Sequence, residues 1–336
     1  MSNAAASSAI AFSGFPAWVF LHSFASFGER RNRTTASCLT SAKRPVEVSF
    51  ELADPPGISR WFVHCAGLKK KRGFNGPPYI LNASGAFIVM RMQFFRGGFD
   101  YFVYRAGPGK PSLDLIPWPW PTGGLHKRVG ILPSSDGTSY YVVFLVSRFK
   151  PRIVYEIPVF SSENQSWSTK VASISVDLDT TSYQLIMHDP SKAIAVGWSS
   201  MAWIDLWRGV LLCDRLDQDA PVLRLINWPV PSCGSLLCGS KSGCFVERWS
   251  NQRSYSSKEW DKCFKVDISS ILATHLSSSD LLRKMWDDKL NKLDLNKLSS
   301  APPTLSLTDE AVVYFMANLV SDEALLLLVN VSDEKL

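Results

Sequence analysis

The sequence predicts an all-β protein: a β-propeller of small antiparallel sheets, with one amphipathic helix near the C-terminus. Three observations carry this expectation. First, Tyr101–Pro121 aligns without a gap on Leu211–Pro231. Arg105 falls on Arg215 and Pro111 on Pro221. Both copies then run L-x-L-I-x-W-P-x-P, through Leu113, Leu115, Ile116 and Trp118 in the first and Leu223, Leu225, Ile226 and Trp228 in the second. Second, the strand-like pairs Val103-Tyr104, Val159-Phe160 and Leu212-Cys213 recur every roughly 50–56 residues, within the period range of propeller blades. Third, Val46–Leu52 and Tyr155–Val159 alternate apolar and polar residues, as half-buried strands do, before turn residues. An ordinary β-sandwich with one chance similarity is the other reading of the repeat.

Taken in order, Met1–Gly14 reads as a disordered Ala/Ser-rich tail, and 15–336 as a single propeller-like domain. Trp18–Leu21 is a short apolar strand, and Glu29–Arg33 a basic connector. Val46, Val48, Phe50 and Leu52 alternate with Glu47, Ser49 and Glu51, as in a half-buried strand. Asp54-Pro55-Pro56-Gly57 is a turn, because proline fixes φ and glycine admits positive φ. Trp61–Cys65 is the returning strand. Ala86–Gln93 and Tyr101–Arg105 are strands about a turn at Arg96–Asp100.

Tyr140–Ser147 is an almost wholly apolar run, as a central strand should be. In Ile153–Val171 the residues Tyr155, Ile157 and Val159 alternate with Val154, Glu156 and Pro158, and a Ser/Asn/Gln turn leads to Trp167. In each copy of the repeat, leucines two apart point to one face of a strand. The prolines that follow cannot donate to a ladder, so each copy reads as the outer, edge hairpin of its sheet. Beyond Pro231 the pattern thins, and Trp260–Ile268 resumes a strand-like texture. Ser279–Leu298 changes period: Leu282, Met285, Trp286, Leu290 and Leu293 recur at three and four residues after serine caps, which predicts a helix. Strands over Val312–Ala317 and Ala324–Val331 finish the fold.

Composition sets bounds on class. Hydrophobic residues make up 46% and charged residues 20% of the 336-residue chain, the balance of a folded protein rather than a disordered one. Twelve tryptophans and nineteen phenylalanines suit β-rich packing. The net charge of +6 is mild, permitting nucleic-acid or acidic-partner binding without implying either. Seven cysteines cannot form a complete intrachain disulfide set. Cys233, Cys238 and Cys244 cluster, but their spacings miss the short pairs of zinc sites and no histidine lies close, so they read as buried free thiols in a reducing compartment. No run approaches the length that spans a bilayer. Ile10–Phe27 lacks the basic n-region of a secretory signal. The sequons at Asn32, Asn82, Asn164 and Asn330 therefore read as idle. The expected location is the cytoplasm or nucleus, with organellar targeting left open by the acid-free start.

The chain carries no P-loop, no G-x-G-x-x-G opening a helix, no G-x-S-x-G elbow and no H-E-x-x-H. Asp205 and Arg208 flank Trp207, and the preferred role for Asp205 is in a turn or an ion pair rather than in catalysis. His64 and Cys65 are adjacent on a strand and so face opposite ways, which rules out a thiol–imidazole pair. Lys69, Lys70, Lys71 and Arg72 are four consecutive basic residues. They fit a nuclear localisation signal or a phosphate-contacting patch, with a solvated loop as the preferred reading. No catalytic residue, cofactor or metal site is assigned.

FPAWVFLHSFASFGERRNRTTASCLTS with VSFELADPPGISRWFVHCAG, the central AWIDLWRGVLLCDRL and the late PTLSLTDEAVVYFMA resemble a plant family, expanded in grasses, named domain of unknown function 1618. The likeness covers most of Phe15–Val331. The WxDLWRGxLLCD-like block is its most specific mark. The resemblance implies a plant source and an intracellular protein, and it supplies no activity, catalytic residue or cofactor. IPVFSSENQSW also resembles F-box-associated and kelch-type propellers. By elimination the expected function is a non-enzymatic protein-interaction scaffold with a protein partner and no membrane association. The alternatives are a propeller-type hydrolase and a nucleic-acid-binding protein.

Overall fold

In the computed structural model the described residues are 15–227, apart from 17, 56, 68–72, 96–97, 108–109, 118–127, 151, 176–187 and 206–207, together with eight strands between 245 and 330. The chain divides into two compact units, Met1–Leu225 and Ile226–Leu336. Each is all-β in its described part, as the sequence predicts.

The first unit begins with β1 (Phe20–Leu21), β2 (Ser26–Phe27), β3 (Ala36–Leu39), β4 (Pro45–Glu51) and β5 (Ile58–Cys65). β3, β4 and β5 form an antiparallel meander, and the two short strands add in parallel to the free edge of β5. The alternation expected over Val46–Leu52 is present, with Val46, Val48 and Phe50 buried. The Asp54–Gly57 turn is closed by the Gly57 amide donating to the Asp54 carbonyl at 2.8 Å. Glycine is required there for a different reason from the one its sequence suggests. Its φ is not positive, but a Cβ would sit 2.8 Å from the Asp54 carbonyl oxygen.

A second meander follows in simple order: β6 (Tyr79–Ser84), β7 (Phe87–Gln93), β8 (Phe99–Arg105) and β9 (Ser112–Ile116). Both of its faces are buried. Ile88, Met90, Met92, Phe102, Tyr104 and Leu113 meet Val46, Val48, Phe50, Trp61 and Val63 of the first sheet. Residues of opposite parity, Phe87, Val89, Tyr101, Val103 and Ile116, pack on the next sheet. A strand buried on both faces loses its polar alternation, which is why FIVMRM and YFVY read as near-continuous apolar runs.

The third meander runs β10 (Val129–Pro133), β11 (Tyr140–Phe144), β13 (Arg152–Ser161) and β14 (Ser166–Ser175), with β12 (Val146–Lys150) pairing the first half of β13. The apolar run Tyr140–Ser147 is therefore divided at the buried Leu145 rather than forming one strand. The fourth runs β15 (Lys192–Val196), β16 (Ser200–Asp205), β17 (Gly209–Asp214) and β18 (Val222–Ile226). Here the edge-strand expectation needs correction. β9 is an edge, but β18 takes β14 as a parallel neighbour, with Ile174 opposite Leu223. At the other margin β10 lies beside β15, so the combined nine-stranded sheet curls almost closed around Val143, Leu145, Tyr155, Ile157, Trp203, Leu211 and Leu223.

Two residues make that closure workable. Gly130 on β10 faces Met201 and Ala193, and a Cβ there would come within 2.0 Å of the Met201 methyl carbon. Asn82, on β6, donates from Nδ2 to the carbonyls of Val129 (3.1 Å) and Ala193 (2.7 Å), tying β10 to β15 across the seam. The same nitrogen is the one a glycan would need, so this sequon is occupied by structure. Asn32 likewise spends its Nδ2 on the Phe50 carbonyl.

The internal repeat acquires a structural meaning. Val103-Tyr104 lies on β8, Val159-Phe160 on β13 and Leu212-Cys213 on β17, in each case on the strand before the last of its meander. Leu113 and Leu223 are both buried on the last strand. Trp118 and Trp228 lie outside the described residues.

In the second unit, β19 (Phe245–Ser250) pairs with β20 (Asp261–Asp267). β21 (Trp286–Asp287) pairs with β22 (Lys292–Leu293). β23 (Ser299–Ser300), β24 (Thr304–Leu305), β25 (Val312–Asn318) and β26 (Ala324–Asn330) form a four-stranded sheet. The strands expected at Trp260–Ile268, Val312–Ala317 and Ala324–Val331 are thus present. The helix expected over 279–298 lies, apart from the two dipeptides of β21 and β22, outside the described residues.

Candidate functional site

The basic run Lys69–Arg72, the Met1–Gly14 tail and the cysteines Cys233, Cys238 and Cys244 lie outside the described residues. His64 and Cys65 take opposite faces of β5 as expected, with Cys65 buried against the first core. Burial raises the Cys65 thiol and pushes Cys38 and Cys213 up to about 12, so these three free cysteines are protonated at neutral pH rather than reactive thiolates.

The AWIDLWRGVLLCD block holds β16 and β17, and the roles of its described residues follow from packing and hydrogen bonding. Trp203 is fully buried and its Nε1 donates to the Arg128 carbonyl at 3.0 Å, fastening the fourth meander to the start of the third. Asp205 is buried in the turn. Its carboxylate accepts from the amides of Asp189 (2.9 Å) and Arg208 (3.2 Å) and from the Arg208 guanidinium (3.2 Å). Three donors satisfy a buried charge that would otherwise be costly. Gly209 follows at φ 129, a backbone state closed to side-chain-bearing residues. The turn and ion-pair role expected of Asp205 is the one observed. His188 packs behind it, buried, with Nε2 3.3 Å from the Gly209 carbonyl and Nδ1 unpaired. Burial lowers its pKa to about 4 against the pull of Asp205, so the imidazole is neutral at physiological pH.

The surface feature with binding character is elsewhere, in a cleft of about 500 Å³. Three turns meet there, each joining the first two strands of a meander: Ser84–Phe87, Pro133–Gly137 and Ala195–Trp198. Each has a glycine in the left-handed region, Gly85 at φ 57, Gly137 at φ 66 and Gly197 at φ 64. They converge because β6, β10 and β15 lie alongside one another.

Trp198 stands at the rim, 64% exposed, an unusual position for the largest apolar side chain. Asp136 lies in the wall. Hydrogen bonds from the Ser134 hydroxyl, the Thr138 hydroxyl and the Thr138 amide hold its pKa down to about 2, so it is a permanent anion. Of the described lining residues it alone is titratable. Arg105, the arginine shared by the two repeats, ends β8 by donating to the carbonyls of Thr138 (3.1 Å) and Gly137 (3.4 Å), bracing this turn from behind Phe87.

Sequence reasoning missed the cleft. Trp198 sits in the apolar stretch AVGWSSMAWI and reads as a strand residue. The signal that marks it is the recurrence of a turn glycine before an apolar strand, in GAFIVM, GTSYYVVF and GWSSMAWI.

No curated protein matches the chain. Residues 203–243, beginning at the buried Trp203 of the β16–β17 hairpin, match the model of the family described as Protein of unknown function (DUF1618), the same family that the sequence resembles.

Proposed function

We propose that this chain is a β-propeller-type scaffold that binds a protein partner at the cleft of its first turns and carries out no chemistry. The observation that carries this reading is the convergence of three equivalent turns on one cleft rimmed by the exposed Trp198. A large aromatic left in water at a concave site is a typical anchor of protein interfaces.

The propeller reading is supported by the succession of face-packed meanders and by the adjacency of their first strands. It is supported too by the matched positions of the repeat pairs on the strand before the last. Loops displayed at one end of such sheets are where scaffolds present partners with contacts.

The experiment is affinity capture with the full chain and with Trp198→Ala as baits, run beside a panel of glycosides, esters and phosphate esters on the purified protein. The expected result is a reproducible partner on the wild type, lost with Trp198→Ala, and no turnover. Turnover removed by one carboxylate or histidine substitution overturns the scaffold reading.

A further inference from the structure

We propose that the cleft receives a single lysine or arginine side chain of the partner, its charged head held between the Trp198 ring and the Asp136 carboxylate. The inference rests on the scaffold reading above and names the chemistry of what binds.

Three properties of the cleft select this occupant. Asp136 is the only charge that the described lining residues carry, and it stays ionised across the physiological range because its oxygens accept from Ser134 and Thr138. An acidic side chain would meet repulsion there. An apolar one would strip water from the carboxylate and return no partner to it. A cation does neither.

Trp198 supplies the second selection. A cation over an indole face is attracted by the negative face of the ring. Among the described residues no ring or cation packs on Trp198, so that face is available. The nearby cation Arg105 is already committed to the Gly137 and Thr138 carbonyls and packs over Phe87 at 5.7 Å. Ala86, Pro133 and Ala195 give the third selection, because they provide an apolar wall. The methylene stems of lysine and arginine bury well against such walls while the head stays polar.

The two cleft residues can be tested without breaking the fold. Trp198 is mostly exposed. Asp136→Asn retains an oxygen to accept from Ser134 and the Thr138 amide while removing the charge. The probe is an arrayed peptide library with one fixed central residue: lysine, arginine, citrulline, glutamate or leucine. It is read with the purified full chain, and the melting temperature of each variant serves as the folding control.

Lysine and arginine pools are expected to bind above the citrulline, glutamate and leucine pools. Trp198→Ala is expected to weaken them roughly 2- to 30-fold, and Asp136→Asn roughly 2- to 5-fold. Equal binding of the citrulline or leucine pool, or a basic preference that survives both substitutions, overturns the inference. If capture still yields a partner that depends on Trp198 but shows no basic preference, this inference fails and the scaffold reading stands. If capture yields no partner at all, both fail.

Discussion

His188 should make this protein acid-labile, and the size of the effect can be worked from its surroundings. The ring is buried behind the β16–β17 hairpin, 3% exposed, with Nδ1 lacking a partner and Nε2 near the Gly209 carbonyl. Burial lowers its pKa from 6.5 to about 4, opposed by Asp205 and the Gly209 carbonyl and assisted by Arg128 and Arg208. The sign follows. The unfolded chain takes up a proton as pH falls through the ordinary histidine range, whereas the folded chain refuses it until about 4. Stability is therefore fully present above the ordinary pKa and is lost as pH falls through this window.

The shift corresponds to about 3 kcal/mol in total, of which about 2 kcal/mol is gone by pH 5. That is a large fraction of a typical domain stability of about 5–15 kcal/mol. The assay is urea denaturation of the full chain at a series of pH values from 8 to 5, followed by tryptophan fluorescence and circular dichroism. His188→Gln is measured beside it, since glutamine keeps a donor for the Gly209 carbonyl but does not titrate. The wild type should lose about 2 kcal/mol more than the variant between pH 8 and pH 5. Identical pH slopes for the two proteins would refute the reasoning, because they would mean that His188 carries its proton as readily in the fold as outside it.

Gly130→Ala should destabilise the first unit by about 1–3 kcal/mol, as overpacking against the buried Met201 forces that side chain off its seat. Chemical denaturation measures it, and an unchanged midpoint would show that Met201 has room to move. Asn82→Ala strips both the Val129 and Ala193 carbonyls of their donor and should cost about 1–3 kcal/mol per group left unpaired. Hydrogen exchange should quicken along β10 and β15 together, and a change confined to β6 would contradict the seam. Replacing Lys69, Lys70, Lys71 and Arg72 by alanine should leave both the melting temperature and the nuclear fraction of the full chain in cells unchanged, as for a solvated loop. A lowered nuclear fraction would instead assign the run to nuclear localisation.

Several features were legible in the residues because they depend on neighbours a few positions away. Alternation at Val46–Glu51 and Tyr155–Val159 announces strands, since side chains of a pleated chain change face at every residue. The recurrence of Val103, Val159 and Leu212 announces sheets of similar build, because each repeated unit must present the same buried positions to its neighbours. Asp205 announces a turn, because a short carboxylate beside its own backbone amides satisfies them locally.

Other features were decided only when distant segments met. The parallel seating of β18 against β14 joins Ser173 to Val222, and nothing in either strand names the other. Asn82 looks like an exposed sequon until folding brings the Val129 and Ala193 carbonyls to one amide nitrogen. His188 looks titratable until the hairpin that ends in Asp205 removes its water. Trp198 reads as a strand residue until the glycine turn before it places the indole at the rim of a cleft assembled from three turns. The physical reason is common to all four. Periodicity is a property of a strand's own backbone, whereas exposure, hydrogen-bond partners and pKa depend on which other strands close upon it.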